Sequence, residues 1–144
     1  TWGADDYESH SGSKSAWCAR GGSSGLDPAT NDYSNNMDAW MIYGPFNLSD
    51  AIDAELIFQL WLKSEFEYDY IYWFASIDGA NFYGYRLSGN SNGWVEEKFD
   101  LKSVYTLGNL CGKSEVWIAF NFESDSSITD EGAFIDDITL RKKR

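Results

Sequence analysis

The stretch Ala54-Glu-Leu-Ile-Phe-Gln-Leu-Trp-Leu-Lys63 decides the fold class. At a period of two residues, Leu56, Phe58, Leu60 and Leu62 share one face, while Glu55, Ile57, Gln59, Trp61 and Lys63 take the other. A helical period would scatter both sets, so this is a strand with one core-facing side. In Glu115 to Glu123 the same period places Val116, Ile118, Phe120 and Phe122 inside and Trp117, Ala119 and Asn121 outside. Each strand leaves one large aromatic facing away from the core. Working outward, strands are expected at Lys14 to Arg20, Met37 to Tyr43, Asp69 to Ile77, Phe82 to Leu87, Trp94 to Leu101 and Ala133 to Arg141. Clusters of Gly, Asn, Asp and Ser separate them, and no segment carries a helical period. About eight short strands with one-sided patterning predict an all-β fold. Two antiparallel sheets packed as a β-sandwich, of jelly-roll or immunoglobulin-like type, satisfy that pattern.

The stretch Tyr68-Asp-Tyr-Ile-Tyr-Trp-Phe-Ala-Ser-Ile-Asp-Gly79 is more aromatic than a half-buried strand needs. Asp78-Gly79 supplies the positive φ of a tight turn, so Tyr68 to Tyr85 reads as one hairpin. One register buries Ile71, Trp73, Ala75 and Ile77 and turns Tyr70, Tyr72 and Phe74 outward with Ser76. The opposite register exchanges the two sets, because facing alternates strictly along a strand. With the first, Tyr70, Tyr72 and Phe74 join Trp61 and Trp117 as an outward aromatic set. That set is suited to stacking on sugar rings or to an apolar protein contact. The competing reading is a second packed layer beneath long loops.

The chain has 144 residues, enough for a single core, and residues 1–144 are read as one domain excised from a larger protein. A net charge of -12 opposes a nucleic-acid partner, since an acidic surface repels phosphate. No apolar run reaches the roughly 18 residues needed to cross a bilayer, so no membrane insertion is expected. The closing Arg141-Lys-Lys-Arg144 reads as a frayed tail or the start of a linker. The only two cysteines, Cys18 and Cys111, fall in ordered segments. A bridge between them would close a long loop and stabilise the fold by roughly 4 to 5 kcal/mol in the chain-entropy model. The alternative is two buried free thiols.

Several motifs occur in order: His10-Ser-Gly-Ser-Lys-Ser-Ala-Trp-Cys18, Asn36-Met-Asp-Ala-Trp-Met-Ile-Tyr-Gly-Pro-Phe-Asn-Leu48, the Tyr68 hairpin, Gly93-Trp94 and Gly132-Ala-Phe-Ile-Asp-Asp-Ile138. Together they resemble the jelly-roll accessory domains of secreted bacterial proteases, both immune inhibitor A-type metallopeptidases and subtilisin-like enzymes. Those domains are similar to MAM domains and to jelly-roll carbohydrate-binding modules. The resemblance implies a secreted, extracellular, non-catalytic module that stands beside a hydrolase and carries a structural calcium ion. It places that ion between the backbone carbonyls of Ser11, Gly12 and Ser13 and the carboxylates of Asp136 or Asp137.

Chemistry supports part of that expectation independently. Alternation puts Asp136 inward beside Phe134 and Ile138, where a lone carboxylate costs several kcal/mol unless paired, protonated or metal-bound. Calcium satisfies it, and so do backbone N–H groups or Ser and Lys side chains. No catalytic constellation is legible: His10 is the only histidine and lies in a Ser/Gly loop, and Cys18 has no positioned base. The leading expectation is therefore an accessory module that recognises a protein substrate or surface. A carbohydrate-binding module stacking a glycan on its aromatics is one alternative, and a MAM-like adhesion or oligomerisation domain is another.

Overall fold

The computed structural model describes residues 1–144 as nine strands in two sheets, with no helix. They are β1 (Gly3–Asp5), β2 (Ser15–Trp17), β3 (Asp38–Phe46), β4 (Asp53–Lys63), β5 (Tyr70–Ser76), β6 (Tyr83–Leu87), β7 (Asn90–Asp100), β8 (Val116–Glu123) and β9 (Gly132–Lys143). A five-stranded sheet runs β1-β2-β9-β4-β7 and a four-stranded sheet runs β3-β8-β5-β6. Consecutive strands from β2 to β5 alternate between the sheets, and β9 and β8 return beside their early partners. That interleaving is the jelly roll.

The layer between the two sheets is the main part of a cluster of 27 buried residues. Leu56, Phe58, Leu60 and Leu62 of β4 supply one side, and Val116, Ile118, Phe120 and Phe122 of β8 the other, as alternation predicts. Phe58 sits at the centre, edge-on to Phe120 at 4.9 Å and to Trp73 at 5.5 Å. In β5 the first register holds, with Ile71, Trp73 and Ala75 buried. Ile77 lies past the strand end and is exposed. The Asp78 carboxylate organises the β5–β6 turn, accepting from the N–H groups of Ala80 and Asn81, the Asn81 amide and the Ser76 hydroxyl. Those donors hold its carboxyl far below the usual carboxylate range.

Four expectations need correction. The strand β1 is additional; three residues carry no readable period, and it exists through pairing with β2. The basic C-terminus is not a frayed tail, because β9 extends to Lys143. Arg141 pairs there with Glu55, and Lys142 and Arg144 both pair with Asp50.

Third, no disulfide forms: Cys18 and Cys111 are free thiols. The Cys18 N–H bonds Ala133 O, beside the β9 end that pairs with Lys63, whereas Cys111 senses the charges of Asp53, Lys102 and Asp100. Asp53 and Lys63 are opposite ends of β4, about 30 Å apart at the rise of a strand, far beyond disulfide reach.

Fourth, Asp136 does not point into the core. Gln59 pairs with Asp136 and Ile57 with Thr139, so Phe58 opposes both Asp137 and Ile138 across a β-bulge. Asp137 takes the left-handed backbone at φ 50°. The inward reading rested on Phe134 and Ile138 as core neighbours, but Phe134 is buried on the outer side and the bulge puts Ile138 out of step with Asp136. Ile135 pairs with Leu60 and faces the core, while Phe134 and Asp136 lie on the outer side with Trp61 and Gln59.

Candidate binding face and acidic sites

The outer face of the four-stranded sheet gathers aromatics from three segments. Trp40 of β3, Asn121 of β8, Tyr72 of β5 and Arg86 of β6 form one cross-strand row. The next row is Ile42, Ala119, Phe74 and Gly84. The small Ala119 leaves room above β8 for the rings of Trp40 and Phe74 to meet over it, stacked at 5.7 Å. Phe82, just after the turn, lies 5.4 Å from Trp40. Tyr72 stacks on Phe74 at 5.2 Å, and Tyr70 adjoins Tyr72 at 6.0 Å. The Arg86 guanidinium sits 4.2 Å over the Tyr70 ring, an attractive cation–π arrangement. Asp38 anchors the far side, accepting from the Trp40 indole and the Asn121 amide, each at 2.8 Å. Trp40 remains 39% exposed and Ile42 49%, with Tyr70, Tyr72, Phe74 and Phe82 half-buried, so the rings form a continuous surface open to solvent.

Trp117 occupies the same face at its end, but two glycines flank its ring. A Cβ at Gly44 would stand 2.8 Å from the indole and one at Gly79 3.1 Å from it. Trp61 is on the other sheet and cannot join this surface. It belongs to a row Trp17, Phe134, Trp61 and Trp94 across β2, β9, β4 and β7. There Trp17 and Phe134 are fully buried even though they face away from the inter-sheet core. The β1–β2 loop covers them: Tyr7 stacks on Phe134 at 6.2 Å, and His10 meets Trp94 edge-on at 5.8 Å. Glu131 receives both indole N–H groups, Trp17 through its carbonyl and Trp61 through its carboxylate. The two readings of the surplus aromatics therefore divide between the sheets, with a covered second layer on one and an open face on the other. Trp40, Phe82 and Arg86 escaped the sequence reading; for Trp40, both faces of β3 are apolar and alternation alone assigns neither.

The same loop meets the bulge. Asp136 Oδ2 accepts from His10 N at 2.8 Å and Ser11 N at 3.1 Å. Asp137 bonds His10 Nδ1 at 2.6 Å and takes the Ser11 hydroxyl on its other oxygen. These contacts hold the Asp137 carboxyl below its ordinary range, Ser11 contributing most and His10 next. Gly12 O is engaged by Ser9, and Ser13 is exposed with no side-chain bond. The expected partners thus come together, but the loop turns N–H and O–H donors toward the carboxylates. The two carboxylates and the loop donors form a hydrogen-bonded clasp.

A second acidic group lies at the other loop cluster. Glu65 and Asp69 from the β4–β5 connection and Asp125 after β8 bring carboxylate oxygens within 4.8 Å of one another. Asp69 is completely buried and accepts from Tyr33 Oη at 2.5 Å and Asp125 N at 2.8 Å. Burial raises its carboxyl above the usual range. Glu65 is raised as well, by burial and then by the charges of Asp125 and Asp69. Nothing in the spacing of these three acids distinguishes them from the chain's other carboxylates.

No family model matches the chain. It is 30% identical over 116 residues, 79% of its length, to bacillopeptidase F of Bacillus subtilis, of which it spans 8%. It is 28% identical, over 81% of its length, to the pre-pro-metalloprotease PrtV of Vibrio cholerae, of which it spans 14%. Among solved structures, the K1 cleaved adhesin domain of Lys-gingipain from Porphyromonas gingivalis superposes on 99% of this chain and 84% of that one, with TM-score 0.59 and 13% identity. At that identity the likeness shows the fold alone. The resemblance to an accessory domain of secreted proteases is borne out: the chain is similar to a minor segment of two bacterial proteases.

Proposed function

We propose that this chain is a non-catalytic, extracellular accessory module of a larger bacterial hydrolase, and that it recognises a protein substrate or surface through the outer face of its four-stranded sheet. The observation carrying the reading is the open face of Trp40, Tyr70, Tyr72, Phe74 and Phe82. Contiguous apolar patches of this kind, with a polar rim such as Arg86 and Asp38, mark interaction sites on soluble proteins. The small share of two proteases that the chain matches supports its placement beside a catalytic domain. A cation at the Ser11, Gly12, Ser13, Asp136 and Asp137 clasp, expected from the resemblance, would require His10 and Ser11 to turn their donors away.

The test is binding by the isolated chain, watched through tryptophan emission and surface-immobilised capture of denatured and native protein substrates. Tyr72→Ala and Trp40→Ala should each weaken capture at least tenfold, in line with aromatic anchors at protein contacts. Binding that survives both substitutions sinks the proposal. A glycan reading has one observation in its favour, the tyrosine and tryptophan rings set side by side on a flat sheet. Saturable quenching by soluble oligosaccharides, lost in Tyr72→Ala, would put it first.

A further inference from the structure

We propose that Glu65, Asp69 and Asp125 form a binding site for a hard divalent cation, calcium, where the loops after β4 and β8 converge on the start of β5. Three carboxylates lie within 4.8 Å of each other, and none has a Lys or Arg partner. Like charges so close repel unless a proton or a cation intervenes. Glu65 Oε1 is sealed from solvent and has no hydrogen-bond donor, so a buried charged acceptor is left unsatisfied within this group. Asp69 is wholly buried, and each of its oxygens takes a single bond, from Tyr33 Oη or Asp125 N, leaving a further lone pair on each.

The chemistry of the donors selects the ion. All are oxygens, all anionic, and they come from two loops rather than a rigid frame, conditions that suit the six to eight flexible oxygen contacts of calcium. Magnesium demands a tight octahedron and retains its waters, and zinc favours nitrogen or sulfur, which are absent from the group. A bound ion would pin Asp69 directly before Tyr70, the first ring of the aromatic face. It would also tie the β4–β5 loop to the segment that follows β8. The site is separate from the Asp136 and Asp137 clasp, which joins the β1–β2 loop to the bulge of β9. It also does not depend on what the aromatic face binds.

The experiment is calcium titration of the chelator-treated chain by calorimetry and thermal melting. One ion should bind, and the melting temperature should climb with the logarithm of free calcium. Glu65→Gln and Asp125→Asn should each lower calcium affinity at least tenfold, while Asp136→Asn should leave it unchanged. Asp69 is a poor choice for substitution, because it also holds Tyr33 and Asp125 in place. Wild-type protein provides a readout that needs no variant: terbium in the site should luminesce on aromatic excitation, with the Tyr33 hydroxyl 2.5 Å from a ligand oxygen, and calcium should displace it. Absence of binding at millimolar calcium together with dark terbium overturns the proposal. So does an affinity loss confined to Asp136→Asn, which would move the ion to the clasp.

Discussion

Tyr72 and Trp73 are chain neighbours on opposite sides of the four-stranded sheet. Trp73 is 6% exposed and packs edge-on to Phe58 in the core, whereas Tyr72 lies against Phe74 on the solvent side. Their substitutions should separate stability from recognition. Trp73→Ala should destabilise the fold by about 3–5 kcal/mol, the usual range for truncating a buried aromatic. Tyr72→Ala should cost about 1 kcal/mol or less, since its ring contacts are at the surface. Urea unfolding midpoints check both, and equal losses would contradict the assigned faces.

The two thiols should behave independently. The unreduced protein should show the mass of the dithiol and take up two alkylating groups once unfolded. In the native state Cys111, partly exposed, should react well before Cys18, which is fully buried. Burial pushes the Cys18 thiol up to about 12, so almost no thiolate forms at neutral pH. Timed alkylation followed by peptide mapping measures the order.

Gly132 begins β9 at φ 96°, where an added Cβ would stand 2.9 Å from Cys18 Sγ and 3.1 Å from the Tyr33 ring. Both neighbours are completely or almost completely buried, so neither can yield easily. Gly132→Ala should lower stability by about 1–3 kcal/mol from backbone strain alone, with overpacking adding to it. Thermal melts of the variant beside Gly93→Ala, whose Cβ meets nothing within 4 Å, separate the two contributions.

The contribution of Glu65 and Asp69 to stability should depend on pH in opposite senses with and without calcium. Glu65 and Asp69 have folded pKa values above their unfolded ones. In chelator, these two groups therefore bind more protons in the folded state between those values, and their contribution to stability should rise as pH falls from neutral toward the ordinary carboxylate range. In saturating calcium the same protons compete with the ion, and stability should fall over that window. Glu8, Glu97 and Glu123 are also raised, by burial first, but they contribute equally to both curves. The difference between urea midpoints in calcium and in chelator is the quantity to follow, and Glu65→Gln should flatten it.

The clasp carries its own acid signature. The Asp137 carboxyl is held below its unfolded value by Ser11 and then His10, so its contribution is present above the unfolded pKa and lost as pH falls through the folded one. Asp137→Asn should reduce stability at neutral pH and converge with the parent in strong acid. The pair is substantially exposed, so the effect should shrink at high salt.

The sequence alone specifies the all-β class, the core faces of β4, β5 and β8, and the β5–β6 turn. Each rests on information contained within a few residues: alternating side-chain direction for the strands, and for the turn the positive φ at Gly79 beside an Asp that caps its own backbone. It could not tell which outward aromatics remain open, because cover comes from distant segments, with Tyr7 and His10 lying over the sheet that holds Trp61 and no equivalent loop over Tyr72. It misplaced Asp136 because Phe134, which shares its facing, is buried on the outer side beneath the β1–β2 loop, and because the bulge at Asp137 puts Ile138 out of step with both. It paired Cys18 with Cys111 as the only candidates, although the length of β4 holds them at opposite ends of the sandwich. The meeting of Glu65, Asp69 and Asp125 also belongs to the tertiary structure alone, since Asp125 lies 56 positions beyond Asp69 and reaches it only because β8 pairs with β5.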